Sequence, residues 1–276
     1  MTRNPVSALS DKYSVLMSVY AGEQPEYLKQ SIESIFSQTV PADDFVIVCD
    51  GELTAGLEEV LSSFEGKVSL VRLQENKGLG NALTAGLAKC RNELVARMDS
   101  DDIAYPDRME KQLNMFAEDP SLALVSGTVT EFKDDITNIV GKREVPLSDD
   151  EIRSFSHKRN PMNHPAVMFK KSAVEEAGGY SEEYPYFEDY YLWARMLMKG
   201  AKARNTSDPL VYMRVDDNTF VRRGGRKYAS DMLRFHKYLR AQKWATMTDY
   251  ITGALPHALI CVLPNNLRKA VYKKLH

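Results

Sequence analysis

The sequence predicts an α/β protein: a mostly parallel central sheet flanked by helices, in one large domain with a C-terminal helical extension. Three observations predict it. Short β-branched and apolar runs alternate with amphipathic stretches of helical period, the pattern of successive βαβ units. The runs stop abruptly in polar loops at Tyr20, Asp50, Asn76 and Asp99. Four strand ends therefore converge on one edge of the sheet, where open α/β sheets bind ligands. The 276 residues, 43% hydrophobic and 27% charged, have an ordinary globular composition and suffice for a sizeable core.

Taken in order, residues 1–12 are a polar lead-in, and Tyr13 to Val19 is a first strand. After the loop Tyr20-Ala21-Gly22-Glu23, Pro25 opens a helix whose Leu28, Ile32, Ile35 and Phe36 share one face. Phe45 to Cys49 is a second strand, closed by Asp50-Gly51, and Leu57, Val60, Leu61 and Phe64 mark a second helix. Val68 to Leu73 is a third strand. The tight loop Asn76-Lys77-Gly78-Leu79-Gly80-Asn81 then leads into a helix whose small residues, Ala82, Ala85, Gly86 and Ala88, permit close packing on a sheet. Leu94 to Met98 is a buried strand ending in Asp99-Ser100-Asp101-Asp102.

Beyond it, Pro106 to Glu118 reads as a helix with Pro106 at its start, and Leu122 to Val129 as a strand. Residues 131–160, polar and charged, are expected to be an irregular excursion over the site. Pro165 to Phe169 is expected as a short strand, and Ser172 with Glu175 as the capping box of a brief helix ending at Gly178-Gly179. Glu188-Asp189 opens a helix running to about Lys199, and Ala203 to Met213 is a late strand.

The formal charge of −2 conceals an asymmetry. From residue 220 onward twelve Lys and Arg face only Asp231 and Asp249, which gives +10 and leaves −12 on residues 1–219. A basic tail on an acidic body points to an anionic surface, membrane or nucleic acid. The acidic body and the lack of a recognition motif argue against nucleic acid. Cys49, Cys90 and Cys261 are odd in number and scattered, as befits buried thiols in a reducing compartment. Met1 to Lys12 has no apolar core for a signal peptide, and no segment reaches the roughly 18 apolar residues that span a bilayer. The expected location is cytoplasmic. Neither a P-loop nor a G-x-G-x-x-G turn is present.

The acidic stretch is the centre of interest. Three carboxylates within four positions repel one another unless a cation lies between them, and Mg²⁺ or Mn²⁺ with a nucleotide diphosphate relieves that repulsion. The competing reading is an acidic turn leading into the following helix.

The series Ser18-Val19-Tyr20, Cys49-Asp50-Gly51, Asn76-Lys77-Gly78 with Asn81, Asp99-Ser100-Asp101-Asp102, Gly178-Gly179-Tyr180 and Phe187-Glu188-Asp189 with Leu192-Trp193 resembles the inverting glycosyltransferases of family 2, which have a GT-A fold. The similarity spans roughly residues 13–215. Residues 160–169 and the tail look most like bacterial enzymes that build exopolysaccharide or O-antigen repeats, the amylovoran type among them. The resemblance implies a nucleotide-binding half, 13–130, an acceptor-binding half, 131–215, and a basic, partly amphipathic tail, 216–276.

It also implies roles. Ser18 and Tyr20 would contact the nucleotide, Asp50 the uracil, and Asn76, Lys77 and Asn81 the base and ribose. Asp99, beside Ser100, would meet the ribose or sugar, Asp101 the metal, and Glu188-Asp189 would contain the catalytic base, Asp189. Cys49 stands where the family usually has a first aspartate. Single displacement at an anomeric carbon needs a base for the acceptor hydroxyl and a cation for the departing diphosphate, and two acidic clusters suit that division.

Other residues keep two readings. Asp189 is either that base or an acid favoured at a helix start. His164 contacts the acceptor's diphosphate or bonds to backbone, and Arg97 pairs with the acids or reaches the donor. Trp193 is acceptor-pocket wall or core. Arg214 and Arg222-Arg223 match a basic loop near the diphosphate or form a solvated charge run. Ile251 to Leu263, broken by Pro256, and a basic helix with Leu267, Val271, Tyr272 and Leu275 on one side either lie on an anionic membrane or pack on the domain. The leading expectation is a metal-dependent transferase moving one sugar from a nucleotide-sugar donor, a UDP-hexose, to a polyprenyl-diphosphate-linked oligosaccharide, with residues 250–276 on the inner face of the cell membrane. The alternatives are an inactive membrane-associated assembly subunit and a sugar-nucleotide pyrophosphorylase.

Overall fold

A computed structural model describes residues 12–216, 224–264 and 267–268. The first half alternates as the sequence dictates: β1 (Tyr13–Val19), α1 (Pro25–Phe36), β2 (Asp44–Cys49), α2 (Ala55–Ser63), β3 (Ser69–Arg72), α3 (Leu79–Leu87) and β4 (Leu94–Asp99). These four strands lie parallel in the order β3-β2-β1-β4. There follow β5 (Ile103–Ala104), α4 (Arg108–Glu118), β6 (Leu122–Phe132), β7 (Ile139–Arg143), α5 (Asp149–Phe155), β8 (Met168–Lys170), α6 (Lys171–Glu176), α7 (Glu188–Met198) and β9 (Lys202–Arg214). Beyond β4 the nine-stranded sheet becomes mixed: β8 pairs antiparallel with β4 and β6, β9 runs parallel to β6, and β5 pairs antiparallel with β9.

Alternation along the strands builds one core on each face of the sheet. Val15, Met17 and Val19 of β1 pack toward α1, α2 and α4 through Ile32, Leu57 and Phe116. Leu16, with Val46 and Val48 of β2, packs toward α3, α6 and α7 through Leu83, Val174 and Trp193. Close approach of α3 is what requires Gly86: a Cβ there would lie 2.4 Å from Leu16 Cδ1 and 2.5 Å from Val48 Cγ2. A third cluster joins α7 to α8 (Arg226–Ala241) through Tyr184, Phe187 and Tyr191 against Tyr228, Phe235 and Leu239.

Several expectations are corrected. Residues 131–160 are not irregular: they hold β7 and α5. The strand β7 lies at the sheet's margin and is half exposed, which explains its polar composition. Helix α5 is opened by a capping box of Ser148 and Glu151. Ser172 and Glu175 form no such box; the Ser172 hydroxyl donates to the Glu93 carboxylate, and Lys170 stands at the start of α6. His164–Ala166 is a 3₁₀ turn that delays the short strand to Met168, and α4 starts at Arg108, after Asp107, not at Pro106.

Pro256 does not break the tail. α9 (Met247–Asp249), a π-helical turn (Tyr250–Ala254) and α10 (Leu255–Cys261) form one continuous run, with Pro256 in the first turn of α10. None of the helices described is long and apolar enough to cross a membrane. Arg222, Arg223, Val271, Tyr272 and Leu275 lie outside the described residues.

Candidate active site

The carboxyl ends of β1 to β4 do meet at one edge. Ser18 is level with Asp99 on the neighbouring strand. Tyr20, one step beyond β1, keeps its ring 46% exposed, and the ring covers Gly22, where a Cβ would lie 2.4 Å from it. Asp50 is buried and fixes the next loop, accepting from the Lys77 amide at 2.7 Å and the Gly78 amide at 3.1 Å. Gly51 (φ +88°) is required because a Cβ would stand 2.7 Å from the Asn76 nitrogen. Asn81 Nδ2 donates to the Lys77 carbonyl at 2.9 Å, closing the loop, and Asn76, Lys77 and Asn81 all face solvent.

At the end of β4 the acids are sorted by their partners. Arg97, fully buried, forks onto Asp99 through both its terminal nitrogens, one of them at 2.6 Å. Of the two readings of Arg97, pairing is the one observed. The Asp99 carbonyl accepts from Ser31, at 2.8 Å, and Ser100 donates to Glu23 at 2.8 Å. Asp102 accepts the Arg214 amide at 2.8 Å on Oδ1, while its buried Oδ2 has no hydrogen-bond partner.

Ligand atoms of Asp99, Asp101 and Asp102 lie within 4.8 Å of one another. Burial, reinforced by Asp99 and Glu23, pushes the Asp101 carboxyl up to about 7, and burial together with Asp101 and Asp99 holds Asp102 well above the carboxylate range. Hard carboxylate oxygens crowded this way could hold a divalent cation. Since Arg97 occupies Asp99, the donors less committed to the protein are Asp101 and Asp102.

The second acidic pair opens α7. Asp189 accepts from Asn160 Nδ2 on Oδ2 and from its neighbour's amide on Oδ1, both at 2.6 Å. Burial and then Asp189 push the Glu188 carboxyl up to about 7. Tyr186, just before the pair, adopts φ +69°, a strained conformation for a bulky side chain. This turn sits against the loop after β3: Cβ atoms added at Gly78 and Gly80 would lie 2.7 Å from Glu182 Oε1 and 3.9 Å from Glu188 Cβ. Arg97 also acts electrostatically on Glu188, Asp101 and Asp102, so one buried cation serves both acidic clusters.

Three of the residues that kept two readings have well-defined surroundings. Trp193 is 0% exposed and packs behind His164, Phe169 and Tyr180, so it is core beneath the site and not a pocket wall. His164 Nε2 lies 3.1 Å from the Tyr180 hydroxyl. Burial, then Arg97, holds its pKa well below the usual value, so it is neutral at pH 7. Arg214 is a clasp. It donates to the Asp101 and Asp134 carbonyls and to Gln30, and lies 3.7 Å from the Tyr27 ring centroid. Asn160 and Glu23 were given no role by the sequence, and Asp102, though part of the acidic motif, none of its own. Asn160 begins the segment that carries His164, and Glu23 closes the loop after β1, but neither spacing announces its partner.

A parallel β3-β2-β1-β4 half with loops at its carboxyl edge, extended by a mixed half that carries a second acidic pair, is the architecture of a glycosyltransferase of the GT-A fold. The sequence model for glycosyl transferase family 2 matches residues 14–178, and the chain belongs to that family. It is 35% identical to the UDP-Gal:alpha-D-GlcNAc-diphosphoundecaprenol beta-1,3-galactosyltransferase of Escherichia coli, over 96% of both chains. It is also 35% identical to the amylovoran biosynthesis glycosyltransferase AmsE of Erwinia amylovora, over 95% of this chain and 98% of that one. The mannosyltransferase of Pyrobaculum calidifontis, solved with GDP-Man and Mn²⁺, shares the fold at a TM-score of 0.64 and 18% identity, over 96% of this chain and 80% of that one. The protein is a glycosyltransferase.

Proposed function

We propose that the protein transfers one hexose, with inversion, from a UDP-sugar to a polyprenyl-diphosphate-linked oligosaccharide during assembly of a cell-surface polysaccharide. The observation that carries this is a pair of acidic clusters under the influence of one buried arginine, Arg97, one crowded enough to hold a cation and one held at a helix start by Asn160. Relatives that act on a diphosphoundecaprenol-linked sugar and in amylovoran synthesis support the acceptor class.

Residues 13–130 supply the donor half. Tyr20 lies against the base, Asp50 meets the uracil, and Ser18, Asn76, Lys77, Asn81, Asp99 and Ser100 line the nucleotide. Asp101, with Asp102, would hold Mn²⁺ or Mg²⁺, which supplies charge stabilisation to the departing diphosphate. Residues 131–215 supply the acceptor half. Asp189 takes the proton of the acceptor hydroxyl as its oxygen bonds to the anomeric carbon; the bond from that carbon to the diphosphate breaks and UDP leaves. Neutral His164, with Tyr180, offers hydrogen bonds near the acceptor without adding charge. The basic tail, residues 216–276, keeps the enzyme on the inner face of the cell membrane, where such an acceptor resides.

Binding and hydrolysis of a panel of nucleotide sugars, with Mn²⁺ and with chelator, tests this for the wild type and Asp101→Ala. Metal-dependent selection of a UDP-sugar, lost in the variant, is the expected result. Failure of every nucleotide sugar to bind with or without metal would leave an assembly subunit without turnover.

A further inference from the structure

We propose that residues 247–262 are an interfacial helix that seats an apolar stripe into an anionic lipid surface. The inference rests on the transferase reading above and names the face by which that enzyme would reach a lipid-linked acceptor. The stripe is Met247, Ile251, Leu255, Leu259 and Val262, exposed by 52%, 51%, 37%, 68% and 48% respectively. The opposite face, Ala254, Ala258 and Cys261, is buried against the core built on α8. Small residues bring the run close to the body, and the large apolar ones are turned away from it.

The spacing is made for a single line of contact. In a regular α-helix each four-residue step rotates a stripe by about 40°. The π turn at Tyr250–Ala254 is wider, closing i→i+5, and takes up part of that drift where Ile251 hands over to Leu255. Between Trp244 and Pro264 the only residue charged at neutral pH is Asp249, which is tied to Thr246 and lies 3.3 Å from Lys158.

What flanks the stripe identifies the occupant. Arg240 lies 5.6 Å from the Tyr250 ring centroid, Lys158 stands beside Asp249, and Lys243 is exposed at the entry to the run. Lys269, Lys273 and Lys274 follow it in sequence, within a tail carrying +10 after residue 219. Cations bordering an uncharged apolar stripe suit anionic headgroups above acyl chains. A second copy of this chain would bring the same cations against one another across a two-fold axis.

Co-sedimentation of the full chain with vesicles of phosphatidylglycerol and phosphatidylcholine, against phosphatidylcholine alone, tests the inference. The wild type and a triple variant, Ile251→Ser, Leu255→Ser and Leu259→Ser, are compared, with thermal unfolding, light scattering and donor hydrolysis in solution measured in parallel. The expected result is salt-sensitive binding to the anionic vesicles only, weakened about tenfold or more in the triple variant, with unfolding and donor hydrolysis unchanged. Equal binding by the variant overturns the proposal, as does a wild-type dimer that the variant dissociates. Anionic binding without turnover of any donor would keep the docking face and remove the transferase reading; turnover without vesicle binding would do the reverse.

Discussion

At the scale of single residues, the site separates acids that look alike in sequence by what each one touches. Asp189 and Glu188 are adjacent, yet only Asp189 is oriented by a side chain from another segment, Asn160. Asp189→Asn should therefore lower kcat by about 10²- to 10⁴-fold while donor affinity is kept, measured by transfer to a lipid-linked acceptor and by donor titration. Asn160→Ala removes a donor that favours the charged carboxylate, so the acidic limb of the pH–rate profile should move to higher pH; a fall in activity with an unmoved profile would make Asn160 merely structural. Glu188 gives a test on stability. Its carboxyl is raised to about 7 in the fold, so between the ordinary carboxylate pKa and 7 the folded state binds more protons than the unfolded chain. Stability contributed by this group is present at low pH and falls as pH rises through 7. Glu188→Gln should stabilise the protein at pH 8 by about 1–3 kcal/mol and leave it unchanged near pH 4, read from denaturant unfolding at the two pH values.

At the scale of elements, what was legible in the sequence was what local pattern decides. β1 to β4 and the helices between them follow from runs of period two and 3.6, and the convergence of their ends follows from parallel connection. What was missed depends on partners far along the chain. Ser148 and Ser172 both stand three residues before a glutamate, but only the first caps a helix, because Glu93 from another segment claims the second. The pairing of Arg97 with Asp99 was one of two readings, since burial, not spacing, decides it. Trp193 was ambiguous for the same reason: a helix start is amphipathic by pattern, and the third core that covers α7 from outside comes from α8, part of a tail read as basic and partly amphipathic with no partner assigned to this segment. Packing of α8 on α7 positions Glu188 and Asp189, because Phe235 touches Tyr184, Phe187 and Tyr190 around the Glu188 turn. Phe235→Ala should cost about 3–5 kcal/mol and lower kcat more than it alters donor affinity, since the loop after β3 is held independently by Asp50. Equal loss of donor binding and turnover would show that the two halves are not separable in this way.

At the scale of the whole molecule, the two halves of the sheet meet at a charge problem. Asp99, Asp101 and Asp102 at the end of one half and Glu188 at the margin of the other act on the buried guanidinium of Arg97, which lies on β4 where the parallel strands give way to the antiparallel ones, and Asp99 and Asp102 act also on that of buried Arg108. Asp102 Oδ2 has no hydrogen-bond partner, and burial raises both Asp101 and Asp102, so ionising them together costs the fold free energy that a bound cation would offset. Arg97→Met keeps an apolar stem and removes the charge. It should destabilise the protein by about 3–5 kcal/mol at pH 8, above the value of about 7 to which Asp101 and Glu188 are raised, and by less at pH 5.5, below it. Mn²⁺ should return part of the loss at pH 8, because a ligand bound only by the folded state stabilises it by about 2.7 kcal/mol at one hundred times its dissociation constant. Urea unfolding of wild type and variant at both pH values, with Mn²⁺ and with chelator, separates the contributions. A loss equal at both pH values and indifferent to Mn²⁺ would reduce Arg97 to packing. A loss confined to high pH and relieved by the cation would make the arginine and the metal two answers to the same repulsion, one fixed in the chain and one exchanged with solution.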